Sequence, residues 1–228
     1  ELGDLFHCHS AVNGKEGLEK ATQLIPDVII SDVAMPEMDG VEMAKKIKKN
    51  ELTDHIPIML LTAKTSKTTK YSALEAGAVS YMNKPFDIQE IKHQLNSFLN
   101  WRTTLEEKYS AIKNKTSAKE GVLNHPNPFI QRIIVIVEDH LTNESFSIEQ
   151  LAEKLCLSRA QVHRKIKATT GISTSALVRN IRLEKAYRLL KENSELNINE
   201  VAYACGFSAP SYFTKSFVTY FDQKPSEV

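Results

Sequence analysis

Three polar side chains stand where chemistry can happen. Asp32 follows the apolar run Val28-Ile29-Ile30, Thr62 ends the run Ile58-Met59-Leu60-Leu61, and Lys84 opens a Lys84-Pro85-Phe86 turn behind Val79–Met82. Apolar runs that do not alternate with polar residues suit strands covered on both faces, as in a parallel sheet. Ligands bind such sheets at the carboxyl ends of the strands, so the three side chains converge on one rim. An aspartate there can act as a nucleophile and form an acyl phosphate. A hydroxyl and an ammonium beside it can bind the phosphoryl oxygens. Pro36 and Gly40 shape the loop that leads from Asp32 into the next helix.

A second set of residues suits nucleic acid. The formal net charge of the whole chain is only +1, yet between Leu151 and Lys191 ten lysines and arginines face two glutamates. Such a segment attracts phosphate backbones, although charge alone also fits a solvated helix face. The segment has a layout of its own. Ser147, with a carboxylate or amide close behind it at Glu149-Gln150, caps a helix with Leu151, Ala152 and Leu155 on its apolar side, Cys156-Leu157-Ser158 makes a short turn, and Ser158 caps a second, basic helix. Two helices joined by about three residues make a helix-turn-helix. On the second helix Val162 and Ile166 face inward, while Arg159, Ala160, His163 and Arg164 face outward. Arginine can bond a guanine edge with two hydrogen bonds, and a small residue such as Ala160 can meet a thymine methyl. The layout then repeats. Asn197 caps a helix that ends in the Gly206 turn, and Pro210 sits in the first turn of the next, with Phe213 and Phe217 as core and Ser211 and Lys215 outward.

These residues need elements to hold them. Residues 6–10, 28–31, 58–62 and 79–82 read as strands, and 14–24, 41–50, 67–76 and 87–99 as helices. Strict alternation predicts an α/β doubly wound parallel sheet. Residues 101–112 read as a helical extension. Lys113 to Gly121 has no apolar period and, with His125-Pro126-Asn127-Pro128, reads as a linker. Helices alone follow Pro128. The expected domains are therefore 1–100, a connecting segment 101–127, and an all-α domain at 128–228 with two helix-turn-helix units. The run Arg132-Ile133-Ile134-Val135-Ile136-Val137-Glu138-Asp139 is ambiguous. It could be a strand ending in an acidic pair, but Ile130, Ile133, Ile134, Val137 and Leu141 fall at helical spacing, which favours a helix.

Bulk properties exclude several classes. Among 228 residues, 42% are hydrophobic and 25% charged, the balance of a globular protein. No apolar run reaches the ~18 residues that a membrane span needs, so no membrane contact is expected for this segment. Cys8, Cys156 and Cys205 are far apart and form no zinc-finger pair. His7 and His9 would share a strand face, but no second ligand pair accompanies them.

The first region, from about Leu5 to Leu99, resembles the receiver domain of two-component response regulators, a flavodoxin-like fold. In the loop Ser31-Asp32-Val33-Ala34-Met35-Pro36-Glu37-Met38-Asp39-Gly40, Asp32 matches the family's phosphoacceptor. Thr62 matches its switch hydroxyl, Lys84 its lysine, and Tyr81 its aromatic rotamer switch. The resemblance implies a histidine kinase as phosphoryl donor and Mg²⁺ as cofactor. There is one departure: the family's first strand and the acidic pair behind it have no counterpart here. Mg²⁺ would be left with Asp32 and the backbone carbonyl of Ala34. Either sequence ahead of Glu1 in the natural protein supplies the rest, or another segment, such as 132–139, fills the gap.

The second region, from about Pro128 to Val228, resembles the arabinose-regulator (AraC/XylS) family of bacterial activators. The match rests on Leu151-Ala152, Leu157-Ser158-Arg159, Gly171-Ile172-Ser173, Arg182-Leu183, Ala186, Leu189-Leu190, Val201-Ala202, Gly206-Phe207, Tyr212-Phe213, Phe217, Phe221 and Pro225. It implies base contacts by Ala160, His163 and Arg164 in the first unit and by Pro210, Ser211 and Lys215 in the second.

Together the two resemblances imply a phosphorylation-controlled, sequence-specific regulator of transcription. It would bind double-stranded DNA as a homodimer in the cytoplasm, either on its own or as the cytoplasmic part of a membrane-anchored hybrid sensor. An alternative is a phosphorylation-independent DNA-binding module whose receiver serves only to dimerise. An enzyme is not expected. A phosphatase with an aspartate nucleophile would want a second aspartate two residues on, where Ala34 stands.

Overall fold

The computed structural model describes residues 2–63, 75–113, 121–192 and 196–228, with the backbone alone over 101–113. Nearly all of the helix expected over 67–76 lies outside them. The chain divides into two compact units, Glu1–Tyr109 and Ser110–Val228.

In the first unit, helix α1 (Gly14–Leu24) precedes strand β1 (Ile29–Asp32), α2 (Gly40–Lys49), β2 (Ile58–Thr62), β3 (Ser80–Asn83) and α3 (Ile88–Lys113). The strands form a parallel sheet in the order β1-β2-β3. All five residues of β2 are buried, which is why its sequence does not alternate. Ile58 and Leu60 pack with Ala21, Met43, Ala44 and Ile47 on one face. Met59 and Leu61 pack with Met82, Ile91 and Leu95 on the other. Helices thus cover both faces, as the doubly wound reading requires. Local sequence sets where the helices start. Asn13 Oδ1 accepts from the Glu16 amide, and Asp39 Oδ1 from the Glu42 amide.

The expected strand at 6–10 is not formed. The Leu5 and Phe6 amides instead donate to the Leu2 carbonyl in a turn, and residues 7–10 carry no regular structure. A strand needs a neighbour to take its backbone hydrogen bonds. Among the described residues β1 pairs only with β2, so nothing joins 6–10 to the sheet. Leu2 and Phe6 pack their side chains against the Met59–Met82 face instead. His7 and His9 do meet, with ring centroids 5.0 Å apart, but no group of three potential metal ligands surrounds them among the described residues.

The second unit is helical among its described residues: a short 3-10 turn (Val122–Asn124), α4 (Pro128–Asp139), α5 (Ile148–Lys154), α6 (Arg159–Thr170), α7 (Thr174–Glu192), α8 (Ile198–Ala204), α9 (Pro210–Phe221) and a closing 3-10 turn (Pro225–Glu227). The ambiguous run 132–139 is helix. Phe129, Ile130, Ile133, Ile134 and Val137 are buried on one side of α4, and exposed Val135 faces away. It therefore does not complete the first unit's sheet. Capping boxes start α5 (Ser147 with Gln150), α6 (Ser158 with Gln161) and α8 (Asn197 with Glu200). Each unit of the repeat has its own core. One gathers α4, α5 and α6 around Leu151, Val162 and Ile166. The other gathers α8 and α9 around Val201, Phe213 and Phe217. The long α7 lends Leu177 and Ile181 to the first core and Leu183 and Ala186 to the second. Residues 122–127, read from sequence as linker, belong to this packing, with Val122 and Leu123 buried.

Candidate functional site

At the carboxyl edge of the sheet the strand register lines up the expected residues. Asp32 ends β1 beside Leu61, Thr62 ends β2 beside Asn83, and the Lys84 amide donates to the Thr62 carbonyl at 2.7 Å. The Lys84 ammonium donates to Asp32 Oδ2. The Ala34 amide lies 3.3 Å from Oδ1. Partial burial raises the Asp32 pKa, but the hydrogen bonds from Lys84 and Ala34 and the lysine's charge outweigh it. The carboxyl is held below its ordinary value of 3.8. It is therefore ionised at neutral pH, the form in which a carboxylate can act as a nucleophile. With about a third of its side chain exposed, it is open to a donor.

The helix behind Asp32 comes unusually close. The Gly40 amide donates to the Val33 carbonyl at 2.9 Å, and a Cβ on Gly40 would overlap the Asp32 carbonyl oxygen. Glycine is needed for that approach rather than for its dihedral angles. Thr62 is buried at 3% exposure, two residues beyond Leu60 on the same face of the sheet. Tyr81 is half-buried on that face and pairs with Leu60. The residues expected to relay a change thus share a face next to α1 and α2. Asp32, Thr62 and Lys84 are brought to one edge, and Tyr81 lies below it, opposite Leu60.

A divalent cation fits less well. Mg²⁺ wants an octahedron of oxygens. The rim offers the Asp32 carboxylate, already engaged by Lys84, and the Ala34 carbonyl. No cluster of three or more acidic or histidine side chains occurs among the described residues. The residues present do not make up a Mg²⁺ site.

The helix-turn-helix faces divide into outward and inward residues. Arg159, Ala160, His163 and Arg164 are exposed on α6, and Ser211 and Lys215 on α9, while Pro210 is half-buried at the first turn. His163 Nδ1 lies 3.5 Å from Thr174 Oγ1. Arg159 pairs with Glu149 at 2.7 Å. Both partners are well exposed, so the pair can be broken at small cost. Tyr212 is half-exposed at the start of α9. Hydrogen bonds from Arg179 and then Ser216 hold its hydroxyl below the ordinary tyrosine range.

Three of the ten basic residues have a different task from the one their charge suggests. Lys165 is fully buried, its ammonium 5.9 Å from the centre of the Phe129 ring. Arg182 is buried and donates to the Gly206 and Asn143 carbonyls at 2.7 and 2.8 Å. Lys185 pairs with Glu138 at 2.7 Å. They hold α7 and α6 to their neighbours. The sequence carried one signal for this. Lys165 lies three residues after Val162 and one before Ile166, on the inward stripe.

The comparisons with known proteins agree with this division. Residues 3–96 match the response regulator receiver domain, and residues 151–228 a helix-turn-helix domain. The chain therefore joins a receiver domain to a helix-turn-helix domain of the AraC type. A protein named histidine kinase P4, from Formosa agariphila, is 38% identical over 222 residues, which are 97% of this chain and 16% of that protein. The alkaline phosphatase synthesis transcriptional regulatory protein PhoP of Bacillus subtilis is 37% identical over 46% of this chain and 42% of its own length. The chain thus spans much less than the full length of both. Among solved structures, the C-terminal domain of the two-component response regulator yesN from Fusobacterium nucleatum is 32% identical. It covers 42% of this chain and 93% of that one, with a TM-score of 0.39.

Proposed function

We propose that this chain is a phosphorylation-controlled, sequence-specific DNA-binding regulator of transcription. The observation that carries the reading is the Asp32–Lys84 pair at the carboxyl edge of a parallel sheet, in one chain with two helix-turn-helix units. An Asp32 oxygen attacks the phosphorus of a phosphohistidine, the phosphorus–nitrogen bond breaks, and the ring nitrogen leaves with the electron pair. Lys84 neutralises the incoming charge, and the Thr62 hydroxyl binds a phosphoryl oxygen. Thr62 and Tyr81 on one face then bias the domain between two states. Output passes to DNA through Arg159, Ala160, His163 and Arg164 in one unit and Pro210, Ser211 and Lys215 in the other, in a homodimer.

The near-complete alignment within a small part of a relative named a histidine kinase supports a hybrid arrangement, with kinase and receiver in one longer protein. No described helix is long and apolar enough to cross a membrane. Mg²⁺, where it acts, would take Asp32 and the Ala34 carbonyl together with ligands from elsewhere. A second reading, DNA binding without phospho-control, draws on the incomplete acidic set beside Asp32. A phosphatase is disfavoured, because Ala34 supplies no second carboxylate for acid or base work.

The test is phosphoryl transfer from a phosphorylated histidine kinase domain, read by intact mass, with binding to a DNA duplex selected from random sequence. One added phosphoryl group, lost in Asp32→Asn, with a change in DNA affinity supports the proposal. Unchanged affinity on phosphorylation selects the second reading.

A further inference from the structure

Glu184 is a buried carboxylate in the middle of α7 that neither the phosphoryl chemistry nor the DNA face uses. It is 8% exposed. Its Oε1 accepts from the Val122 amide at 2.6 Å and from the Tyr220 hydroxyl at 2.5 Å, and its Oε2 accepts from the Leu123 amide at 3.0 Å. A buried charge is tolerated when it is this fully hydrogen-bonded. The three donors come from two places far apart in the chain. Val122 and Leu123 are the end of the segment arriving from the receiver. Tyr220 lies in the last turn of α9, the helix that carries Ser211 and Lys215.

We propose that Glu184 is a positioning residue that ties the incoming connection to the second helix-turn-helix unit. The state of that connection thereby sets the pose of α9 on DNA. The proposal rests on the DNA-binding reading above, and it adds a route by which the receiver side reaches α9. Three further observations fit. Burial, then the Glu184 charge and hydrogen bond, pushes the Tyr220 hydroxyl above the ordinary tyrosine range, so it stays a proton donor. Val122 and Leu123 are buried with the α4–α7 core, so the connection cannot shift without disturbing that core. And Gly121 has ordinary extended backbone angles, φ −69° and ψ 171°, yet a Cβ there would overlap the Glu184 carboxylate. An alanine at 121 therefore meets no backbone strain, and its nearest clash is with the carboxylate and, through it, the three hydrogen bonds that the carboxylate accepts.

The geometry supplies two mild variants acting from opposite ends. Tyr220→Phe removes one donor from the α9 side and leaves the ring packed. Gly121→Ala pushes on the carboxylate from the connection side. The full chain is studied by amide hydrogen exchange. Binding is measured to a duplex selected from random sequence by the wild-type chain, and to the same duplex with the half-site of the second unit scrambled. Tyr220→Phe is expected to speed exchange at Val122 and Leu123 by about fivefold or more. Gly121→Ala is expected to weaken binding to the intact duplex about fivefold or more and to leave the scrambled duplex nearly unaffected. Exchange at Val122 and Leu123 unmoved by Tyr220→Phe overturns the proposal. So does equal loss on both duplexes in Gly121→Ala. If the wild-type chain selects no duplex, the DNA-binding reading fails instead, and the exchange arm still tests the tie.

Discussion

The turns of the two helix-turn-helix units are built alike, and one of them is strained. In the first, the Cys156 amide donates to the Glu153 carbonyl at 2.9 Å and the Leu157 amide to the Ala152 carbonyl at 3.0 Å. In the second, the Gly206 amide donates to Tyr203 at 2.9 Å and the Phe207 amide to Ala202 at 3.0 Å. Both turns need a residue in the left-handed region, at φ 54° for Cys156 and φ 71° for Gly206. Glycine adopts that conformation freely, whereas another residue pays about 1–2 kcal/mol. Cys156 is exposed, so Cys156→Gly removes the strain and sacrifices no packing. Against this stands about 0.4–1 kcal/mol of extra freedom in the unfolded chain. The net expectation is stabilisation by roughly 0.5–1 kcal/mol, a rise of about 2–6 °C for a domain of this size. The reverse change at the matching turn should be severe. In Gly206→Ala the added Cβ overlaps the Leu141 carbonyl oxygen and comes within 2.9 Å of Arg182 Cζ, the arginine whose hydrogen bond holds Gly206. Left-handed strain plus a disturbed buried, charged hydrogen bond sum to about 3–5 kcal/mol. Urea unfolding of the full chain, followed by circular dichroism, measures both. A neutral or destabilising Cys156→Gly, or a Gly206→Ala that costs no more than about 1 kcal/mol, would refute the reasoning.

Other outcomes follow from the same structure. Burial pushes the Cys205 thiol up to about 12, while Cys8 and Cys156 are exposed. A thiol reagent on the native chain should therefore modify two cysteines quickly and the third only on unfolding, as peptide mapping would show. In Lys84→Met, Asp32 keeps its burial but loses the lysine. Its pKa should rise from below 3.8, a shift that carbon NMR of the carboxyl reads directly. The sign for stability follows. A depressed carboxylate pKa stabilises the fold above the unfolded value and loses that contribution as pH falls through the folded one. The wild-type chain should thus lose more stability below pH ~4 than Lys84→Met does. Arg164→Ala should cost about 1–3 kcal/mol in binding and relax specificity at one base pair. Equal loss on every duplex would make Arg164 a phosphate contact.

Much of the site was legible because the information is local. Asp32, Thr62 and Lys84 each end or follow a run of apolar residues, and a parallel sheet sends every such end to one edge. Only the pairing of Asp32 with Lys84, 52 residues away, needed coordinates. The caps Ser147, Ser158 and Asn197 could be read because a cap depends on a residue three positions along.

Local pattern therefore fixes the order of most elements and which sheet edge and helix faces hold the candidate residues. Tertiary structure decided where segments find partners. Residues 6–10 have strand-like composition but no neighbour to pair with, so they stay irregular. Residues 132–139 could pair or coil, and packing against α5 and α7 made them a helix. Lys165, Arg182 and Lys185 carry the same charge as Arg164. Yet the ring of Phe129, the carbonyls of Asn143 and Gly206, and the Glu138 carboxylate drew them away from the exposed face that Arg164 shares. The second unit likewise took Val122 and Leu123 out of an apparent linker and set them on Glu184. Helical and strand periods report which residues share a face. They do not report which distant carbonyl, carboxylate or amide will lie opposite it, because that follows only once the chain has folded.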